Sequence, residues 1–141
     1  MIIKQLSIFL ENKTGRLADI SAILGDAGIN MQAFSVADSS DFGILRLIVS
    51  DPQSALKALQ EKGFSVRLTD VLCLTVPNTP GALSKAMAIL KEAEVEIEYM
   101  YAFSLGEDAL SVIKPQDIEQ CLAVLQAHKL ELIASSSLYK L

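Results

Sequence analysis

The chain has 141 residues, 51% of them apolar, and sets 12 Lys plus Arg against 17 Asp plus Glu for a formal net charge of −5. That length allows one ordinary domain or two small ones with a real core. An acidic chain with five Phe, three Tyr and no Trp lacks the clustered cations and stacking rings of a phosphate-tracking surface, so no nucleic-acid partner is expected. Met1 to Leu10 is interrupted by Lys4 and Gln5 and has neither a basic leader nor a small-residue cleavage site. No uncharged apolar run approaches the roughly 18 residues of a membrane span. The expectation is a cytoplasmic protein with no membrane partner. Cys73 and Cys121 show no CxxC or Cys/His spacing and read as small buried hydrophobes, so no metal and no cofactor are expected.

The sequence is written twice. Glu11-Asn-Lys-Thr-Gly-Arg-Leu17 aligns with Pro77-Asn-Thr-Pro-Gly-Ala-Leu83, and Gly81 stands 66 positions after Gly15. At the same offset Ala22-Ile23-Leu24 returns as Ala88-Ile89-Leu90, Leu56 as Leu122, and Leu59-Gln60 as Leu125-Gln126.

Ile3 to Leu10 alternates well enough for a strand, and a helix follows with Leu17, Ile20, Ile23, Leu24 and Ala27 on its apolar face. Gly28 is suited to end it in the left-handed conformation. Two strands, Ile29 to Val36 and Gly43 to Val49, are joined by the turn-forming Asp38-Ser-Ser-Asp41. Pro52 opens a second helix carrying Ala55, Leu56 and Leu59, Gly63 ends it, and Phe64 to Leu68 is a last strand. Val71 to Val76 starts the second copy as a nearly continuous apolar strand, with almost no linker before it. A helix with Leu83, Ala86, Met87, Leu90 and Ala93 follows, closed by Glu94 where the first copy has Gly28. Strands Val95 to Phe103 and Ala109 to Ile113 flank Gly106-Glu-Asp108. Pro115 is read as opening the last helix, with Ile118, Cys121, Leu122 and Leu125, before a final strand Leu130 to Ala134. The order β-α-β-β-α-β, twice, predicts an α+β chain of two ferredoxin-like units, residues 1–68 and 69–141, each an antiparallel sheet with its helices on one face. The tail Ser135 to Leu141 falls where a further first strand would begin and is expected as an edge strand or a polar terminus.

The turn-helix motifs carry a resemblance. Asn12-Lys-Thr-Gly15-Arg-Leu17 followed by Ala27-Gly28-Ile29-Asn30-Met31, and Asn78-Thr-Pro-Gly81-Ala-Leu83 followed by Ala93-Glu94-Val95-Glu96-Ile97, resemble the ACT domain family. The resemblance spans nearly the whole chain as two tandem units with no attached catalytic domain. It implies an amino-acid-binding regulatory or sensor protein, which binds a free amino acid at the interface between ACT units and modulates a separate metabolic enzyme. A homodimer is expected as well. The ligand-binding residues it implies are Asn12, Thr14, Gly15 and Leu17 in the first turn, Asn30 and Met31 at the start of the following strand, and Asn78, Gly81, Leu83, Glu96 and Ile97 in the second copy. In such a turn glycine lets the backbone come close, and the helix N-terminus offers unpaired amides to a carboxylate. Thr14 replaces the motif's proline in the first copy, and Glu94 and Glu96 replace Gly and Asn in the second, so the two sites are expected to differ. Glu96 and Glu98 could favour a cationic group.

The same residues have structural readings: Asn12 and Asn78 as turn caps, the glycines as backbone geometry, Leu17 and Leu83 as core. An ACT-fold interaction subunit that binds no ligand is the alternative. A catalytic site is not indicated. The sole histidine, His128, falls at a helix end without partners, and no GxGxxG, Walker loop, GxSxG or HExxH is present. A small enzyme would need a pocket gathering His128 or Cys73 with acidic residues.

Overall fold

The computed structural model describes residues 1–141 except Asn12 and 39–41, with the side chain of Asp38 also outside the description. The turn read at Asp38 to Asp41 therefore lies largely outside the described residues.

In the first unit, β1 (Ile3–Glu11), α1 (Arg16–Asp26), β2 (Met31–Asp38), β3 (Phe42–Val49) and α2 (Pro52–Glu61) lead into β4 (Ser65–Pro77). Its sheet runs β2-β3-β1-β4, with β3 antiparallel to both β1 and β2. The alternation along β1 sends Leu6, Ile8 and Leu10 to the face that α1 and α2 cover, where they meet Ile20, Leu24, Ala55 and Leu59. Gln5 and Ser7 fall on the opposite face, and Ser7 Oγ lies 2.8 Å from Thr69 Oγ1 on β4. Asp51 caps α2 by accepting from the Ser54 amide at 3.1 Å, with Pro52 in the first helical position.

The second half of β4 opens the second unit, followed by α3 (Ala82–Glu92), β5 (Ile97–Leu105), β6 (Asp108–Pro115), α4 (Ile118–Ala127) and the two-residue β7 (Glu131–Leu132). Here β4 pairs antiparallel with β6 and with β7, and β6 pairs with β5. Leu72, Leu74, Val76, Leu90, Ile113, Cys121 and Leu125 form its core. Cys121 thus occupies the position of Ala55, a small core residue. Both units are the expected ferredoxin-like arrangement, and β4 is one continuous strand shared in succession by the two copies.

The compact units exchange their chain ends. One consists of Lys4–Thr69 with Ser136–Leu141, the other of Met1–Ile3 with Asp70–Ser135. The tail is not a strand: Ser135–Leu138 forms a single helical turn, α5, with Leu138 fully buried. Tyr139 ties it to the first unit, its hydroxyl accepting from the Lys4 amide at 2.8 Å and its carbonyl from Gln32 Nε2 at 3.2 Å. A buried leucine and two hydrogen bonds outweigh one more strand edge.

Two further readings are corrected. Pro115 ends β6 rather than opening α4, because the residue in register with the Asp51 cap is Asp117, which accepts from the Gln120 amide at 3.1 Å. Leu17 and Leu83 are not core: they are 42% and 39% exposed. One row of buried residues, Ile20 with Leu24 and Ala86 with Leu90, seats each helix, while the leucines stand on the first turn beside the strand end.

The helix ends separate the copies energetically. Gly28 and Gly63 close α1 and α2 at φ 72° and 85°, with six-to-one bonds Ile29 N to Leu24 O (2.9 Å) and Phe64 N to Leu59 O (3.1 Å). In the second unit the same bonds form with Glu94 and Lys129 held at φ 55° and 56°. A residue with a β-carbon in that region costs roughly 1–2 kcal/mol, partly offset by the unfolded-state entropy glycine would add. Glu94→Gly and Lys129→Gly should each stabilise the protein by about 1 kcal/mol in urea unfolding. No gain from either would mean that their side chains stabilise the fold by as much as the backbone strain costs.

Candidate functional site

The two strand-to-helix turns are built alike. Each begins with a tight bond two residues along, Lys13 N to Glu11 O (2.7 Å) and Thr79 N to Pro77 O (2.8 Å), and ends on a glycine at φ 89° or 87° as the N-cap. The helix then starts with Asp19 N to Gly15 O and Lys85 N to Gly81 O. Among the described residues no side chain caps α1 or α3, in contrast to Asp51 on α2 and Asp117 on α4. An uncapped N-terminus presents backbone N–H groups and the positive end of the helix dipole, although in α3 the Ala82 amide already donates to Thr79 O at 3.2 Å. A β-carbon at Gly15 or Gly81 would meet nothing within 4 Å, so backbone angle alone requires glycine there, and the space above the turn is open.

In the first copy this turn lines a cleft of about 170 Å³ with Gly15 and Leu17 in its wall, joined by Glu11, Lys13, Arg16 and Val36. Thr14 is exposed beside it. Asn12 lies outside the described residues. Lys13 and Arg16 bring cations to the turn: Lys13 Nζ is 2.8 Å from Glu11 Oε2, and Arg16 lies 3.7 Å from the same carboxylate and 4.0 Å from Asp19. Their hydrogen bonding and charge, Lys13 foremost, hold the Glu11 carboxyl below its ordinary range. In the second copy Thr79 and Ala82 stand in place of these cations, and Asn78 is tied to its own hairpin through its amide to Glu107 O (2.9 Å) and its Nδ2 to Ser104 Oγ (3.4 Å). Gly81 and Leu83 are exposed.

Asn30, Met31, Glu96 and Ile97 do not join these turns within their own units. They follow the far end of α1 or α3, a helix of 11 residues and about 16 Å. Asn30 is exposed and donates from Nδ2 to Gln32 Oε1 at 3.1 Å, while its backbone exchanges bonds with Ser50. Met31 and Ile97 pack half-buried against the cores. Glu96 is exposed on a broad groove beside Lys91 and Glu94, and Glu98 is engaged by Lys114 Nζ at 3.3 Å. Sequence reasoning missed Lys13, Arg16 and Val36. The signal for the two cations was their loss at positions 79 and 82 of the repeat.

Residues 1–141 match the family described as the ACT domain pair. The chain belongs to that family. The ACT pair is also similar to a protein from Bacteroides thetaiotaomicron of known crystal structure, at 49% identity, 100% of this chain, 98% of that one and a TM-score of 0.96. The regulatory subunit of aspartate kinase from Thermus thermophilus, in a ligand-free form, shares the fold at 21% identity, with 89% and 90% of the two chains covered and a TM-score of 0.67. Its counterpart from Thermus flavus gives 20%, 90%, 94% and 0.59. No curated protein matches the sequence.

The enzyme-like groups of the ACT pair stand apart. Cys73 is buried and its thiol is pushed up to about 12 by desolvation. Burial raises Cys121 too. His128 is exposed at the end of α4, with Nδ1 2.9 Å from Val124 O. No helix among the described residues is long and apolar enough to cross a membrane.

Because the Glu11 carboxyl is held below its ordinary range in the fold, its pairing contributes above that range and is lost as pH falls through the folded value. Lys13→Ala should therefore raise the Glu11 titration midpoint, read from its side-chain carboxyl carbon by NMR. An unchanged midpoint would show that Lys13 does not hold this turn's charge.

Proposed function

We infer that this ACT domain pair is a non-catalytic regulator that binds a free amino acid and modulates a separate enzyme. The observation that carries the reading is the pair of uncapped helix N-termini behind positive-φ glycines, each with an exposed leucine at its mouth. An α-carboxylate suits the free amides, and an apolar side chain suits Leu17 or Leu83. The first turn is the stronger site, since Lys13 and Arg16 add cationic charge that the second lacks. Thr14, Gly15 and Leu17, with Asn12, contribute there; Asn78, Gly81 and Leu83 form the weaker counterpart.

At about 170 Å³ the first cleft is smaller than the roughly 300 Å³ at which small-molecule pockets begin, so another surface must close over the ligand. A homodimer would provide it by bringing Asn30 and Met31, or Glu96 and Ile97, of a second copy against the turn. The aspartate kinase proteins named above are regulatory subunits, and the likeness to them supports a role exerted on a partner enzyme. One observation favours a ligand-free interaction subunit instead: Phe34 and Val36 on β2 are 58% and 48% exposed, as expected of a strand covered by another chain.

A thermal-unfolding screen against each of the twenty amino acids at millimolar concentration separates the readings. A ligand at about 100 times its dissociation constant adds roughly 2.7 kcal/mol, a shift of several degrees in a chain of this size. The regulator reading expects a selective shift that Gly15→Ala removes; at φ 89° the alanine lowers the unliganded stability by about 1–2 kcal/mol, but its β-carbon meets nothing in the fold and projects into the space above the turn. No shift with any amino acid favours the interaction subunit.

A further inference from the structure

The first unit carries a second cleft that the amino-acid reading leaves unused. It encloses about 290 Å³ and is walled by Phe9, Phe42 and Phe64, with Arg16, Lys62 and Glu11 also in its lining. Phe9 and Phe42 meet edge to face, their centroids 6.3 Å apart and their planes at 71°. They are nonetheless 45% and 51% exposed, so the pair is not there to fill the core. The Arg16 guanidinium lies 5.7 Å from the Phe64 centroid, and this stacking holds a cation against the aromatic wall.

The charges at this cleft favour an anion. Glu11 is paired by Lys13 at 2.8 Å and by Arg16 at 3.7 Å, and Arg16 also lies 4.0 Å from Asp19, so the three cations Lys13, Arg16 and Lys62 stand against two carboxylates and the local sign is positive. The C-terminal end of α2 also borders the cleft, but its carbonyls at Leu59 and Gln60 already accept from the amides of Lys62, Gly63 and Phe64. The N-terminus of α1 begins at Arg16.

The internal repeat shows that the fold does not require this constellation. The core positions Leu6, Ile8, Leu24 and Leu59 return 66 residues later as Leu72, Leu74, Leu90 and Leu125. Phe9, Arg16, Phe42, Lys62 and Phe64 return instead as Thr75, Ala82, Asp108, His128 and Leu130. Leu130 keeps the packing role of Phe64 without the ring, and every other feature of the cleft is absent from the second copy.

We propose that this cleft is a second small-molecule site, selective for a compact aromatic monocarboxylate. The ring of the ligand lies against the three phenylalanines, and its carboxylate pairs with Arg16 and Lys62. The site goes beyond the amino-acid reading: it shares Leu10, Glu11 and Arg16 with the turn cleft, but its three phenylalanines and Lys62 do not line that cleft, so variants at Phe42 and Lys62 test it apart from the turns.

Isothermal titration calorimetry with 3-phenylpropionate tests it, alongside 2-phenylethylamine, which keeps the ring and reverses the charge, and propionate, which lacks the ring. Saturable binding of 3-phenylpropionate alone is expected. Phe42→Ala and Lys62→Ala should each weaken it about tenfold. Phe42 is half exposed and Lys62 lies on the surface, so both variants should keep the wild-type melting profile. The proposal is overturned if 3-phenylpropionate gives no saturable heat at millimolar concentration, if 2-phenylethylamine binds equally well, or if both variants bind as the wild type does.

Discussion

The two strand-to-helix turns depend on a backbone angle. Gly15 and Gly81 sit at φ 89° and 87°, a conformation that lets a strand turn abruptly into a helix without a capping side chain. The other two long helices are capped by Asp51 and Asp117, which consume one helix-terminal amide each. The other pair has no such cap among the described residues, and an exposed leucine stands two residues after each glycine. The angle that the turn requires leaves open space above it, which is what the proposed carboxylate site uses.

Duplication lets one copy serve as the control for the other. Both units keep the apolar rows that seat helices on sheets, and both keep the glycine turn. They diverge in charge and in strain. The first unit gathers Lys13 and Arg16 at its turn and places glycine at both left-handed helix ends, whereas the second puts Glu94 and Lys129 in those strained positions and has Thr79 and Ala82 where the cations were. The proposed ligand chemistry therefore rests on the first unit. The C-terminal turn adds to that asymmetry, since Tyr139 reaches Gln32, which in turn accepts from Asn30.

Much of the fold was legible because period and repeat agree. The alternation of Leu6, Ile8 and Leu10, the helical row of Ile20 and Leu24, and their return at a fixed offset leave little choice but β-α-β-β-α-β twice. What was not legible depended on three-dimensional context. Leu17 and Leu83 continue an apolar row in sequence, yet the helix needs only the next turn to bury itself. Pro115 looked like a helix start because proline favours that place, but the aspartate two residues on holds the cap. Gly15 and Asn30 read as parts of one motif, though within a unit a whole helix separates them. The aromatic cleft draws its walls from β1, β3 and the approach to β4, and no local pattern joins Phe9, Phe42 and Phe64.

The helix N-terminus behind Gly15 is the proposed seat of a ligand carboxylate. Amide NMR of the ¹⁵N-labelled protein, recorded with and without the twenty free amino acids pooled at millimolar concentration, tests it most directly. A carboxylate seated there gives the largest displacements at the amides of Gly15, Arg16 and Leu17, with smaller ones at Gly81 to Leu83. Spectra in which neither turn moves, or in which all displacement falls elsewhere, would contradict it.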